Sequence, residues 1–174
     1  HCISPDFARN RNHSSLLLSE DESISIMINE EDHVRIQALQ SGLSLNRALD
    51  IANKIDDVID ARVNYAFDEK LGYLTTCPTN IGTGLRASVM LHLPAYERAN
   101  MISNLATMVS KLGLTIRGVF GEGSHQRGSV YQISNQITLG ISESDAIANL
   151  EGIVQQIIKQ ERQMRKSQFD ANPS

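Results

Sequence analysis

Tryptophan is absent from this 174-residue chain, and only 5% of its residues are aromatic. Cysteine occurs twice, at Cys2 and Cys77, too sparsely for a disulfide scaffold and without the CxxC spacing of a structural zinc site. That usage fits a reducing compartment, so a cytoplasmic protein is expected. No apolar run approaches the roughly 18 residues that cross a bilayer, and the first residues lack the basic-then-apolar order of a secretory signal. Cationic excess is missing as well. Sixteen Lys and Arg against 20 Asp and Glu leave a formal charge of −4, so neither nucleic acid nor an anionic membrane is an expected partner. In such a chain the glycosylation sequon at Asn12 is read as chance. Internal repeats and low-complexity linkers are absent too. The chain opens at His1 rather than Met, amid ordinary domain sequence, and a fragment of a longer protein is expected.

What is present is an apolar fraction of 41%, enough for one substantial core and a single domain of ordinary size. The stretch 23–29, SISIMIN, alternates strictly, which predicts a half-buried strand with Ile24, Ile26 and Ile28 on its core side. After the acidic break at Glu30–Asp32, HVRIQAL alternates again with Val34, Ile36 and Ala38 inward. Residues 44–66 have helical spacing, since Leu45, Leu49, Ala52, Ile55, Val58, Ile59 and Val63 recur at three or four, with Ser44 as cap. A strand follows at 86–93, with Ala87, Val89, Leu91 and Leu93 inward, then a helix from Pro94 to Lys111 closed by Gly113. Strands at 114–120 and 129–139 flank a Gly-rich loop, and a last helix spans 142–166. Strands come in adjacent pairs joined by connections too short for regular crossovers. The expected class is α+β, a large antiparallel sheet flanked by helices, one face covered and the other partly open.

The side of each strand opposite its expected core carries an arginine. Arg35 shares a side with Glu31 and His33, Arg86 with Ser88 and His92, and Arg117 with Thr115. Guanidinium groups bind phosphate bidentately and keep their charge at any working pH, so three of them on strand faces point to a polyphosphate cradle. Familiar motifs fail on spacing. Gly82–Ala87 matches GxGxxA but leads into strand-like sequence with no acid about 20 residues on, against a dinucleotide-binding turn. GxxxxGK[ST] and HExxH do not occur. A cysteine phosphatase needs arginine six positions after its cysteine, where this chain has Thr83. A Cys–His pairing of Cys77 with His33, His92 or His125 stays open on spacing, as does a buried, purely structural Cys77. The acids Glu30, Glu31 and Asp32 could hold a divalent ion or simply be solvated.

Taken together, NEEDH (29–33), CPTNIGTGLRASV (77–89) and RGVFGEG (117–123) resemble the phosphagen (guanidino) kinase family, which moves the γ-phosphoryl of ATP onto a guanidinium nitrogen. VRIQAL, the whole of GYLTTCPTNIGTGLRASVMLHLP and GEGS are more similar still to its bacterial protein-arginine kinase branch. The resemblance implies the catalytic-domain fold of the guanidino kinases and glutamine synthetase, with ATP and Mg²⁺ as cofactors and protein arginines as substrates. It implies that Glu31 and Glu122 are the catalytic carboxylates, that Cys77 is a thiolate orienting the guanidinium, and that Arg35, Arg86 and Arg117 bind nucleotide phosphates. His33, Asn80 and Ser88 complete the expected nucleotide set, with Gly82 and Thr83 shaping the turn. Mg²⁺ would come with ATP, with no direct protein ligand and a water-mediated contact near Glu30. Gly121 and Gly123 would let the loop bearing Glu122 close over substrate.

The roles are chemically coherent. A guanidinium pKa above about 12 makes a neutral nucleophile at pH 7 cost on the order of 7 kcal/mol, which carboxylates that orient the group and accept its proton can offset. The family's upstream S-x-R-x-R segment is not matched before residue 29, where ARNRNHSS (8–15) is a poor imitation, and the chain stops at Ser174 before the further domain for dimerisation and phosphoarginine recognition that the protein-arginine kinase branch carries. Residues 1–174 are therefore expected to be part of a C-terminal catalytic domain from a homodimeric parent, and the fragment alone to turn over little. The alternatives are a kinase of free arginine or another small guanidino compound, or a non-catalytic regulatory protein with the same fold.

Overall fold

The computed structural model describes residues 13–118 and 128–171. The chain divides into two compact units, His1–Gly84 and Leu85–Ser174. Among the described residues every strand pairing is antiparallel, in groups of three, two and three strands accompanied by helices. The α+β class is as expected, with the strands distributed over these three groups.

The first unit begins with the sheet β1 (Ser15–Leu18), β2 (Ile24–Ile28) and β3 (Val34–Ala38), in that spatial order. Register sets Ile24, Ile26 and Ile28 against Ala38, Ile36 and Val34, so the two apolar sets share one side. That side is only half-buried. The other side holds Ser25 and Met27, 2% and 0% exposed, with Met27 directly across from Arg35. The expectation of Ile24, Ile26 and Ile28 as the core side is thus corrected. Alternation tells which residues share a side, but which side is covered depends on chain remote in sequence.

Helix α1 (Leu45–Asp60) has Ser44 at its N-cap position, yet the Ser44 hydroxyl donates to the Ser41 carbonyl (3.1 Å) instead of capping an amide. Leu45 is buried, whereas Val58 is 69% exposed. At 3.6 residues per turn Val58 falls about 120° from the centre of the stripe formed by Leu45, Leu49, Ala52, Ile55 and Ile59. Val63 lies beyond the helix and is exposed. Two-residue strands β4 (Phe67–Asp68) and β5 (Gly72–Tyr73) follow, then a 3₁₀ turn at Pro78–Asn80. Tyr73 exchanges two backbone hydrogen bonds with Gly82 (2.8 and 3.2 Å), closing residues 73–82 into a loop. Gly72 makes this closure possible, because its φ is +75° and a Cβ there would stand 2.5 Å from the Gly82 carbonyl oxygen.

The second unit contains β6 (Ser88–His92), helices α2 (Pro94–Arg98) and α3 (Ile102–Lys111), β7 (Leu114–Gly118), β8 (Val130–Asn135) and α4 (Glu143–Ala171). Its sheet order is β6-β8-β7. Leu91, Tyr131, Ile133 and Leu114 occupy one side and are buried, together with Ala146, Ile147, Leu150, Ile153, Val154 and Ile157 on one stripe of α4. The helix expected over 94–111 is two helices. Asn100, at φ +55°, turns the chain left-handed between them, a conformation asparagine tolerates better than most residues. Gly113 closes α3 as expected, with φ +76°. Glu161 is 3% exposed and its carboxylate accepts the N–H groups of Ala95 (3.0 Å) and Tyr96 (3.1 Å), satisfying amides at the start of α2. Arg165 donates to Glu161 (2.6 Å) and to the His92 carbonyl (2.8 Å). No helix among the described residues is long and apolar enough to cross a membrane.

Tyr65, Tyr96 and Tyr131 titrate above the ordinary tyrosine value near 10. Burial raises Tyr65, helped by its hydrogen bond to Asp56; burial also raises Tyr96 and Tyr131, helped by the charges of Glu161 and Glu97 respectively. A pKa raised in the folded state leaves stability intact below about pH 10 and removes it as pH rises further, because the unfolded chain releases those protons first. Urea midpoints should therefore hold from pH 8 to 10 and fall above it, with tyrosinate absorbance appearing in step with unfolding. Ionisation of these three tyrosines near pH 10 in a still-folded protein would contradict the assignment.

Candidate active site

In the first unit the candidate residues are gathered by the β2–β3 connection, residues 29–33. Asn29 adopts φ +54° and its N–H donates to the His33 carbonyl (2.9 Å), so the loop is a tight one. The His33 Nδ1 lies 3.4 Å from Asn29 Oδ1, which places the ring against the loop's own base. Strand geometry begins only at Val34, so the period-two argument applies to Arg35 but not to Glu31 or His33.

The three acids of this loop have three different surroundings. Glu30 Oε2 accepts the Glu31 backbone N–H (3.0 Å) and Nη1 of Arg35 (3.2 Å). Its side chain is 10% exposed against 45% for Arg35, so the pair fixes the base of the loop while leaving the guanidinium accessible. Asp32 reaches away from the loop. Its Oδ1 accepts the Cys77 backbone N–H (3.0 Å) and its Oδ2 accepts the Asn80 side-chain amide (2.8 Å). Glu31, between them, is exposed and its carboxylate engages no other described residue. Two acids thus hold the scaffold and the middle one stays available for a cation. No cluster of three His, Cys, Asp or Glu side chains able to hold a metal occurs among the described residues.

Cys77 is half-buried, a free thiol whose Sγ lies 3.0 Å from the Thr79 hydroxyl. Its carbonyl accepts the Thr75 hydroxyl (2.6 Å) and the Asn80 N–H (3.0 Å), which shapes the 3₁₀ turn that Pro78 starts. Both donors of Asn80 described so far are therefore spent inside this unit, on Cys77 and Asp32. The structure brings Glu31, Arg35, Cys77 and Asn80 together through Glu30 and Asp32. Neither of those two was singled out from sequence for such a role. Their partners lie 45 and 48 residues away for Asp32, beyond any local pattern.

In the second unit Ser88, Met90 and His92 form the exposed side of β6, and Arg117 is exposed on β7. Cross-strand register aligns Met90, Gln132 and Arg117 in one row and Ser88, Ser134 and Thr115 in the next. This is the polar side expected for Ser88 and Arg117. Arg86 precedes β6 by two residues, and Asn135 holds the backbone on either side of it. Asn135 Oδ1 accepts the Ala87 N–H (2.7 Å) while Nδ2 donates to the carbonyls of Leu85 (3.0 Å) and Ile137 (3.1 Å). Asn135 was missed because an asparagine in a strand-like run carries no local signal. Glu122, with Gly121 and Gly123, lies outside the described residues.

The first unit thus offers an exposed carboxylate on a loop that Asp32 ties to the turn bearing the Cys77 thiol, and each unit carries exposed arginines. Comparison with known proteins points the same way. Residues 1–164 match the model of the ATP:guanido phosphotransferase C-terminal catalytic domain. A protein-arginine kinase of Halalkalibacterium halodurans is 55% identical over 172 residues, 99% of this chain and 48% of the relative. The protein-arginine kinase of Geobacillus kaustophilus is 58% identical over 167 residues, 96% of this chain and 46% of the relative. The chain thus spans about half the length of the curated relatives it matches. Among solved structures, the duplicated taurocyamine kinase of Schistosoma mansoni with bound transition-state analogue components superimposes with a TM-score of 0.77 at 28% identity, over 90% of this chain and 21% of that one. Lombricine kinase does so with a TM-score of 0.77 at 29% identity, over 90% of this chain and 44% of that one. With the family model covering nearly its whole length, the chain belongs to the ATP:guanido phosphotransferases, as their C-terminal catalytic domain.

Proposed function

We propose that the full-length protein transfers the γ-phosphoryl group of Mg-ATP to arginine side chains of proteins. One observation carries this reading: the Asp32 carboxylate joins the loop bearing Glu31 to the turn bearing Cys77, so an exposed carboxylate and a thiol share one locality. A binding module has no need of that pair, whereas a guanidinium nucleophile needs both orientation and a proton acceptor. The names borne by relatives 55–58% identical to this chain favour protein arginine over small guanidino compounds as the acceptor.

In this reading Glu31 takes the proton from the attacking nitrogen as the N–P bond forms and the bond from phosphorus to the β–γ bridging oxygen breaks. Cys77, as thiolate, holds the planar cation electrostatically, and Glu122 supplies the second carboxylate. Arg35, Arg86 and Arg117 neutralise the phosphates, and His33, Asn80 and Ser88 serve the same nucleotide. Phosphoryl transfer asks chiefly for alignment and charge neutralisation, which fixed guanidinium groups provide. Mg²⁺ would arrive with ATP as part of the substrate and meet the protein only through water, near Glu30. A cytoplasmic, homodimeric full-length protein belongs to the same proposal.

The test is phosphorus NMR at neutral pH, where the acid-labile N–P bond survives. The full-length protein is incubated with Mg-ATP and either an unfolded protein or free arginine. A phosphoarginine resonance on the protein acceptor alone is expected. A resonance only on free arginine would move the assignment to a small-molecule kinase. Neither resonance would leave a regulatory protein of the same fold.

A further inference from the structure

Asp32 is the third acid of the run Glu30–Asp32. It is half-buried, and each of its carboxylate oxygens accepts a hydrogen bond from the same short turn, one from the Cys77 amide and one from the Asn80 side chain. The turn has its own fixings as well. Tyr73 and Gly82 close its ends, and Thr75 and Asn80 hold the Cys77 carbonyl. What those local bonds leave undetermined is where the turn sits relative to the 29–33 loop. The two bonds from Asp32 span this separation.

We propose that Asp32 is a positioning residue, whose carboxylate sets the placement of the Cys77 thiol relative to Glu31. The proposal rests on the reading of Cys77 as the thiolate that orients the acceptor guanidinium. The geometry gives two reasons for it. A two-point attachment fixes both distance and rotation, which a single hydrogen bond does not. The attachment is also made to the backbone of the cysteine itself, so a shift of the Asp32 side chain moves the sulfur directly. Carboxylate acceptors make the stronger kind of hydrogen bond, which suits a link between segments 45 residues apart. A displacement of an ångström at such a group is enough to slow a positioned reaction by about 100-fold.

Two experiments decide it. In this chain carrying Cys2→Ser, so that Cys77 is the sole thiol, the rate of alkylation by iodoacetamide at pH 7 is compared with and without Asp32→Ala. Loss of the tether and of a neighbouring negative charge should raise the rate at least threefold, and an unchanged rate in folded protein would overturn the proposal. Should Asp32→Ala not fold, Asp32→Asn, which keeps an acceptor oxygen for one bond only, is read by the same criterion. In the full-length protein, kcat with Mg-ATP and a protein acceptor is measured for Asp32→Ala, Cys77→Ser and the double variant. Each single change should lower kcat 10- to 100-fold with the KM for ATP within twofold, and the double variant should be no worse than the poorer single. Multiplying losses, or a loss confined to ATP binding, would refute action through Cys77. If the unsubstituted full-length protein phosphorylates no arginine, the functional reading fails, while the alkylation rates still decide whether Asp32 places the thiol.

Discussion

Glu31→Gln should lower kcat for arginine phosphorylation by the full-length protein by about 10²- to 10⁴-fold, the range supplied by a positioned general base. The substitution is nearly isosteric, and the Glu31 side chain is exposed and engages no other described residue, so the thermal midpoint should stay within about 2 °C. An amide cannot accept the nucleophile's proton, and its NH₂ group faces the guanidinium with donor against donor. The KM for ATP should be unaffected, because the phosphates are assigned to Arg35, Arg86 and Arg117. A fall in kcat and kcat/KM together, with KM for ATP unchanged, is the mark of an interaction made only in the transition state. If kcat dropped less than about tenfold, Glu31 would not be the proton acceptor. A main effect on ATP affinity would move it to the nucleotide side.

The second large effect concerns folding. Glu161→Ala should destabilise the protein by about 3 kcal/mol, since it strips an ionic acceptor from the Ala95 and Tyr96 amides and from Arg165 in a site where the Glu161 side chain is only 4% exposed. Breaking a buried pair from one end costs about 3–5 kcal/mol, and Arg165 at 47% exposure recovers some hydration, which favours the low end. For a protein of this size that corresponds to a fall in thermal midpoint of about 6–12 °C. Glu161→Gln keeps the shape and one acceptor oxygen and should lose about half as much. A change under about 1 kcal/mol for the alanine variant in urea titrations would mean that water or a shifted Arg165 takes over those bonds.

The parts of this architecture that announce themselves in sequence are those with a local period or a compact motif. Alternation placed Arg117 on the exposed side of β7 and Ser88 on that of β6, and a single glycine marked the end of α3 at Gly113. The last helix, expected over 142–166, is α4 (Glu143–Ala171). Alternation could not tell that Met27 rather than Ile26 is the enclosed residue, since which side is covered depends on chain remote in sequence. Nor could the run Glu30–Glu31–Asp32 reveal its division of labour. Three adjacent acids look alike until Arg35, Cys77 and Asn80 are brought to them from 5, 45 and 48 residues away. Two-residue strands such as β4 and β5 fall below the length at which any period can be recognised.

Asn135 has a bearing on how tightly an anion could be held. By bonding Leu85 on one side and Ala87 on the other, it immobilises the main chain beneath Arg86 although that segment belongs to no strand. An arginine on a wandering loop must freeze both backbone and side chain when it meets a phosphate. With the main chain on either side of Arg86 already held, that backbone ordering, about 1–2 kcal/mol per residue, is spared. The asparagine thus acts as a rigid mount: whatever meets Arg86 finds the main chain on either side of it already stiff.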